Sequence, residues 1–171
     1  MSTMYVNEVN ELNVGNGVNI PGHIIGYYTV DWPNHLQVGS STPWTDMLSS
    51  QAITPKSAAS RFMFMVTGHT RMGGGALTRH MFGVRIIRDI NNGASRTVIN
   101  NSVGSMESLH ISGPSVAEID TSIARQGIDH PNTTDPVKYI ISMRGNTSFT
   151  NAGYIFSQQF GSNFTILELG G

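Results

Sequence analysis

Six histidines are the side chains of this sequence best suited to bind a metal ion. They are His23, His35, His69, His80, His110 and His130. No two of them form an H-x-H or H-E-x-x-H pattern, in which two imidazoles can share one ion. His69 and His80 flank a glycine-rich segment and could meet across the mouth of a hairpin. We expect instead histidines of turns or subunit contacts, and we predict no metal site and no cofactor.

Paired carboxylates are the second feature that could do chemistry. In a strand, Glu118 and Asp120 would project from one face about 7 Å apart. Glycosidases use two carboxylates in this way, although a solvated face or ion pairs with neighbouring arginines is the simpler explanation. No serine lies in a nucleophile elbow, and the glycines at 73–75 follow no strand that leads into a phosphate-binding helix. We therefore predict that the protein is not an enzyme.

Aromatic side chains offer a third kind of chemistry, which is stacking on a sugar. Trp32 and Trp44 are the two tryptophans. Trp32 ends a predicted strand just before Pro33-Asn34-His35, close to a loop, where binding residues are concentrated, but it could also pack against the edge of the fold. Tyr27 and Tyr28 alternate in a predicted strand, so at most one of them can face a ligand. The candidate ligand-facing residues are Trp32, His35, His69 and Arg71.

The elements that must position these residues belong to a chain with few charges. Its 171 residues suit one domain, or one domain with a short appendage, and 12% of them are charged. The net charge of -1 gives no electrostatic reason to expect a nucleic acid or an anionic membrane as partner. The absence of cysteine excludes disulfides and thiolate metal sites. We expect neither a signal peptide nor a membrane helix, which needs about 20 apolar residues.

Alternating apolar residues and frequent turns predict a structure made of strands. The predicted strands cover 22–32, 61–67, 80–90, 94–100, 115–127, 137–145 and 163–171, with shorter ones at 44–48, 104–111 and 154–158. Asn92-Gly93 lies between two β-rich runs and predicts a hairpin with a type I′ turn. The pattern indicates an all-β, antiparallel sandwich of the jelly-roll kind, with the last strand in the middle of a sheet.

The strand at 61–67 raises the question of a second buried face. Two phenylalanines and a valine share one side of it, whereas Met63 and Met65 share the other. One side must face the core of the sandwich, and an outer face is usually polar. Ile87 and Ile140 likewise interrupt the polar side of their strands.

Two explanations of this second apolar face stay open. Loops or the N-terminal segment of the same chain could cover it. The alternative, which we favour, is a contact between subunits, because methionine tolerates irregular packing and is enriched at interfaces. The predicted interface residues are Met63, Met65, Ile87, Ile140, Tyr5 and Val9.

Residues 1–22 differ from the rest of the chain. Their isolated apolar residues lie among asparagine and glutamate, a pattern too sparse to fold alone. The segment is either a disordered tail or a pairing element for other copies of itself. We therefore divide the chain into an N-terminal stem or attachment segment, 1–22, and a β-sandwich domain, 23–171.

Three stretches of the sequence carry a recognisable set of short motifs. They are "GVNIPGHIIGYY", "WTDMLSSQAITPKSAASRFMFMV" and "FTILELGG". They resemble structural proteins of tailed phages, especially marine and cyanobacterial ones, at Pro21-Gly22-His23, at Thr54-Pro55-Lys56-Ser57 with Ser60-Arg61, and from Ile166 to Leu169. The resemblance implies a trimeric jelly roll, similar to complement-type and tumour-necrosis-factor-like domains, on an intertwined N-terminal stem.

The expected function follows from this resemblance. It implies a trimeric tail-fibre or adhesin component on the outer surface of a virion, made in the host cytoplasm. A capsid decoration protein or short head fibre is the nearest alternative, and a lectin-like, carbohydrate-binding module is the alternative from another class. The expected partners are further copies of the chain, other virion proteins bound through 1–22, and a host surface glycan. Nucleic acid binding and membrane insertion are not expected.

Overall fold

The computed structural model describes residues 23–30, 36–38, 43–73, 80–99, 107–109, 118–145, 153–155 and 162–171. The segment 1–22, with Tyr5 and Val9, lies outside the described residues, as do Trp32 and His35. Every regular element in the described ranges is a strand. These ranges accordingly contain no helix of the length and apolar character that crossing a membrane requires.

Eleven strands follow one another along the described part of the chain. They are β1 (Ile24–Val30), β2 (Leu36–Val38), β3 (Thr45–Ser49), β4 (Arg61–Gly73), β5 (His80–Ile90), β6 (Ser95–Val98), β7 (Glu107–Leu109), β8 (Glu118–Asp129), β9 (Val137–Gly145), β10 (Gly153–Ile155) and β11 (Asn163–Leu169). The predicted all-β class is confirmed. Of these eleven strands, β2 is the one that the sequence did not predict.

The strands form two antiparallel sheets in the order of a jelly roll. In sheet A the long β4 pairs with β8 on one side and with β11 and then β10 on the other, β1 pairs with β11, and β2 pairs with β10. Sheet B has the order β3-β9-β5-β6, with β7 beside the start of β5. If the short β2, β7 and β10 are set aside, the other eight strands, renumbered along the chain, run 1-8-3-6 and 2-7-4-5. This is the double Greek key of a jelly-roll sandwich, as predicted.

The core lies between the two sheets. Tyr139 of sheet B packs against Phe62 and Phe64 of sheet A, with ring centroids 5.5 and 4.5 Å apart. Val66, Phe164 and other inward residues complete a cluster from which water is excluded. Burying a side chain of this size stabilises the fold by about 1.5–3 kcal/mol. The phenylalanine side of β4 is therefore the core side, and its two methionines point outward.

The hairpin predicted between β5 and β6 is confirmed, but its turn is longer than the predicted two-residue type. The connection is residues 91–94. Asn91, Asn92 and Gly93 all have positive φ, at 51°, 53° and 103°, which asparagine and glycine adopt at least cost. The Asp89 carboxylate accepts a hydrogen bond from the N–H of Gly93. This bond holds the turn against the end of β5.

Candidate interaction surface

The outer face of sheet A carries a row of apolar side chains that crosses four strands. In register order, the row consists of Tyr27 on β1, Leu167 on β11, Met63 on β4 and Ile128 on β8. Directly opposed residues of antiparallel strands project from the same face. The residues on either side of Met63 fill the core, so the whole row points away from it.

The two ends of this row are its most exposed parts. Tyr27 is 65% exposed and Ile128 44% exposed, whereas Met63 and Leu167 are half-buried. Ile24, on the same face, is 54% exposed. Among the described residues these three are the large hydrophobic side chains that remain exposed, and all of them lie on one face. Such a concentration of apolar surface is typical of interaction sites.

A second row lies beside the first and is neutral but more polar. Met65 is opposed by Thr165 and Gln126. Met65 and Gln126 line a shallow depression between β4 and β8, together with Thr67 and Ala124. We call the outward set the apolar face; its residues are Ile24, Tyr27, Met63, Met65, Ile128, Leu167 and Leu169.

The predicted interface residues of β4 therefore belong to a larger surface than the sequence indicated. Met63 and Met65 both lie on the apolar face, half-buried by their neighbours. Sequence reasoning missed Tyr27, Leu167 and Ile128 as members of the same surface. The outward position of each residue in its own strand can be inferred from alternation in the sequence. The register that brings the three residues together is known only from the fold. Contact of this face with a partner stays a prediction.

The outer face of sheet B has a different character, although it too holds an apolar pair. Ile87 and Ile140 are directly opposed on β5 and β9. They are only 4% and 6% exposed, yet they do not belong to the core cluster between the sheets. The single chain already buries them, so they have almost no surface left to contribute to a partner. At these two positions, cover by the same chain, the alternative left open by the sequence, accounts for the burial.

Side chains from both edges of sheet B provide this cover. Asp46 of β3 and Arg96 of β6 form an ion pair, although β9 and β5 lie between those two edge strands. Asp46 is opposed by Ser142 and Arg96 by Asp89 on the outer face, which places the two ends of the pair on either side of the isoleucine row. The ion pair must therefore pass over the two isoleucines.

Trp44, next to β3, adds to the cover of sheet B. Its ring centroid lies 4.3 Å from the guanidinium carbon of Arg85 and 4.9 Å from that of Arg144. Attraction between cations and the aromatic face offsets part of the crowding of like charges. The pKa of Arg85 is lowered, first by burial and then by Arg96 and Arg144, while Asp46 acts in the opposite direction. The structure thus engages Trp44, one of the candidate sugar-stacking residues, with two arginines.

Glu168 of β11 is a carboxylate buried inside the sandwich. It accepts hydrogen bonds from the hydroxyl of Tyr28 at 3.1 Å and from the backbone N–H of Lys56 at 2.6 Å. The bond to Lys56 joins the two motifs, 54–57 and 166–169, that carry the resemblance noted in the sequence. Burial, with the nearby Glu168 charge, raises the pKa of Tyr28 to about 12. Both groups are engaged with each other, so we assign them a structural role.

Asp129 is another buried carboxylate, and it links the two sheets. It lies at the end of β8 and accepts hydrogen bonds from Arg88 of β5 at 2.9 Å and from the hydroxyl of Tyr139 of β9 at 3.0 Å. Burial raises the pKa of Tyr139, and the Asp129 charge reinforces the shift while Arg88 opposes it. Sequence reasoning missed this role, because an acid at the end of a strand is usually solvated.

The remaining candidate residues do not form a chemical site in the described structure. His69 and Arg71 lie in β4, opposite positions 122 and 120 of β8. His80 begins β5 in the other sheet. The possibility that His69 and His80 meet across a hairpin is not realised, because β4 belongs to sheet A and β5 to sheet B. Within the described ranges no three histidine, aspartate or glutamate side chains are grouped to hold a metal ion.

Comparison with known proteins identifies the fold. No protein-family model and no curated protein matches this chain. A chain of the structure of infectious bursal disease virus, Gt strain, is similar at a TM-score of 0.51 and 10% identity, over 95% of this chain and 42% of that one. A chain of the T13 IBDV viral particle is similar at a TM-score of 0.45 and 12% identity, over 88% of this chain and 32% of that one.

These likenesses bear on the fold and on the phage resemblance. This chain spans less than half the length of either virus chain. At such low identity, the first likeness supports the sandwich fold and carries no assignment of function. The structure with the TM-score of 0.51 is that of infectious bursal disease virus and not of a tailed phage, so it gives the tailed-phage resemblance no support.

Proposed function

We propose that this protein is a structural component of a virus particle. The observation that carries the proposal is the fold, which is similar over 95% of the chain to part of a chain of an infectious bursal disease virus structure. Jelly rolls are common in viral capsid proteins and in lectins. The apolar face favours the first of these, because a particle is built by burying such surfaces between neighbouring subunits.

Two finer roles fall within this class. The trimeric tail-fibre or adhesin role is supported by the short motifs that resemble phage proteins. The capsid decoration role is supported by the fold, which is similar to part of a chain of the infectious bursal disease virus structure. In either role the chain contacts further copies of itself and other virion proteins.

Mass spectrometry of purified virus particles tests the proposal directly. We expect the protein in a fixed ratio to the other particle proteins, and a non-structural protein of the same virus serves as the control that should be depleted on purification. Immunogold labelling in electron micrographs then distinguishes the tail from the head. Absence of the protein from washed, infectious particles would overturn the proposed function.

A glycan array separates the remaining alternatives. Binding of the folded protein to a defined glycan, together with its presence in particles, supports the adhesin role. Presence in particles without glycan binding supports the decoration role. Glycan binding by a protein that is absent from particles would support the lectin-like alternative instead.

A further inference from the structure

We infer that the apolar face of sheet A binds the same face of a second copy of this chain. The inference deepens the proposed function, on which it rests, by naming the partner and the surface of assembly. Three observations carry it: the charge of the face, its dimensions and the contrast with sheet B.

The charge of the apolar face suits contact with an identical surface. When a surface meets itself, each charge near the centre lies close to its own copy, and like charges across an interface oppose binding. Of residues 61–67 and their partners on this face, Arg61 is the charged one, and it lies at the margin, opposite Leu169. A strongly acidic or basic partner would find no complementary charges at the centre.

The dimensions of the face suit the centre of a protein interface. Strands lie about 4.8 Å apart, so the row from Tyr27 to Ile128 spans roughly 15 Å across four strands. The row lies beside two exposed, neutral polar residues, Thr29 and Gln126. An apolar centre with a polar rim is the usual anatomy of an interface of about 800 Å² per partner. Two such sheets can pack face to face in the aligned manner of a sandwich.

The contrast with sheet B identifies which face associates. A contact between two copies of the outer face of sheet B would bring Arg85, Arg96 and Arg144 against the same three residues of the partner. The carboxylate of Asp46 is already engaged by Arg96. The two isoleucines of that face are buried within the chain. Sheet A is therefore the contact surface, and sheet B faces away from it.

Light scattering of two double variants tests the inference. Tyr27→Glu with Ile128→Glu places charges at exposed ends of the apolar row, where the core is not disturbed. We expect the wild-type chain to associate and this variant to raise the dissociation constant about 100-fold or more. The control, Thr97→Glu with Thr134→Glu, adds the same charge at exposed positions elsewhere and should associate like the wild type. A monomeric wild type, or a face variant that associates unchanged, would overturn the inference.

Cross-linking identifies the contacting face independently. The sequence has no cysteine, so a single introduced thiol reports on one position. A thiol-reactive cross-linker with a short spacer should link copies of Met63→Cys, in the middle of the apolar row. Lys138→Cys, similarly half-buried but on the outer face of sheet B, is the matched control and should remain unlinked. Linking of the control but not of Met63→Cys would place the contact on the wrong sheet and overturn the inference.

The failure of this inference and that of the proposed function are distinguishable. A pure protein that associates through the apolar face but is missing from particles removes the virion role alone. A protein that is present in particles but monomeric in solution, with Met63→Cys unlinked, removes the self-contact alone.

Discussion

The outer faces of the two sheets both carry apolar side chains at their centres, but the described residues bury those of sheet B far more completely than those of sheet A. On sheet B, Ile87 and Ile140 are almost fully buried by the same chain, and an ion pair and a tryptophan lie on that face. On sheet A, Met63 is only half-buried, and the apolar row continues to exposed residues at both edges. This contrast between the two sheets shows that an outward-facing apolar residue indicates a subunit contact only when side chains of the same chain do not cover that residue.

The largest expected effect comes from shortening a covered residue. Ile87→Ala should lower the free energy of unfolding by about 2–4 kcal/mol. The single chain buries the isoleucine side chain almost completely, so its truncation to alanine would leave a cavity. Ile128→Ala, the matched change on sheet A, should cost less than about 1 kcal/mol in the dissociated chain, since 44% of that residue is exposed. Urea unfolding followed by circular dichroism at low protein concentration measures both. Equal losses would contradict the distinction between the faces.

An intermediate effect is expected from two neighbouring tyrosines that point to opposite sides of sheet A. Tyr28→Phe removes a hydrogen bond to the buried Glu168 and should cost about 1 kcal/mol. Tyr27→Phe, on the apolar face, should change the stability of the dissociated chain by less than about 0.5 kcal/mol. The same unfolding experiment measures the pair. A larger loss for Tyr27→Phe would mean that the inward and outward sides are assigned the wrong way round.

The raised pKa of Tyr28 predicts how the stability of the protein depends on pH in the alkaline range. The pKa of Tyr28 rises from 10.0 to about 12 on folding, so the folded chain holds a proton that the unfolded chain loses. The resulting stabilisation is complete below pH 10 and is lost as the pH rises through about 12. Tyr28→Phe should therefore lose less stability than the wild type between these two pH values. Parallel urea midpoints for the two proteins over this range would contradict the prediction.

The smallest effect is expected from the ion pair that covers sheet B. The side chains of Arg96 and Asp46 are 43% and 42% exposed, and exposed pairs contribute about 0–1 kcal/mol. Asp46→Asn should therefore lower the stability only slightly, and the difference from the wild type should shrink in high salt. Unfolding at two salt concentrations checks this. A salt-independent loss comparable to that of Ile87→Ala would show that the carboxylate does more than pair with a charge.

Alternation along the sequence was sufficient to predict most strands, because it is a local property. The bounds of β5 and β9 agree with the prediction, and β11 lies between β1 and β4 as expected of a strand in the middle of a sheet. Strand β4 continues past the predicted end at residue 67 into a glycine-containing stretch. There the pairing with β8 extends the strand, and a partner distant in sequence cannot be read from local composition.

The candidate surface was predictable only in part, for the same reason. The outward direction of Met63 and Met65 follows from the phenylalanines between which they lie. The other residues of the apolar face cannot be derived from the sequence in this way. Tyr27 and Leu167, for example, lie side by side because of a register between strands at opposite ends of the chain. The cover over Ile87 and Ile140 likewise depends on side chains from both edges of sheet B. The pairing of strands therefore determines which residues share the apolar face and which isoleucines are covered, and local sequence patterns do not reveal this pairing.

The position of β11 also bears on when the molecule can form during synthesis. Tyr28 meets Glu168 across a separation of 140 residues, and in the described structure β1 pairs with β11. A ribosome that has just made β1 must therefore add all the residues up to the end of β11 before β1 acquires this neighbour. Contacts so distant along the chain are slow to form. Sheet A must accordingly close after translation of β11, and a nascent chain that stalls earlier leaves β1 without β11, the strand with which it pairs.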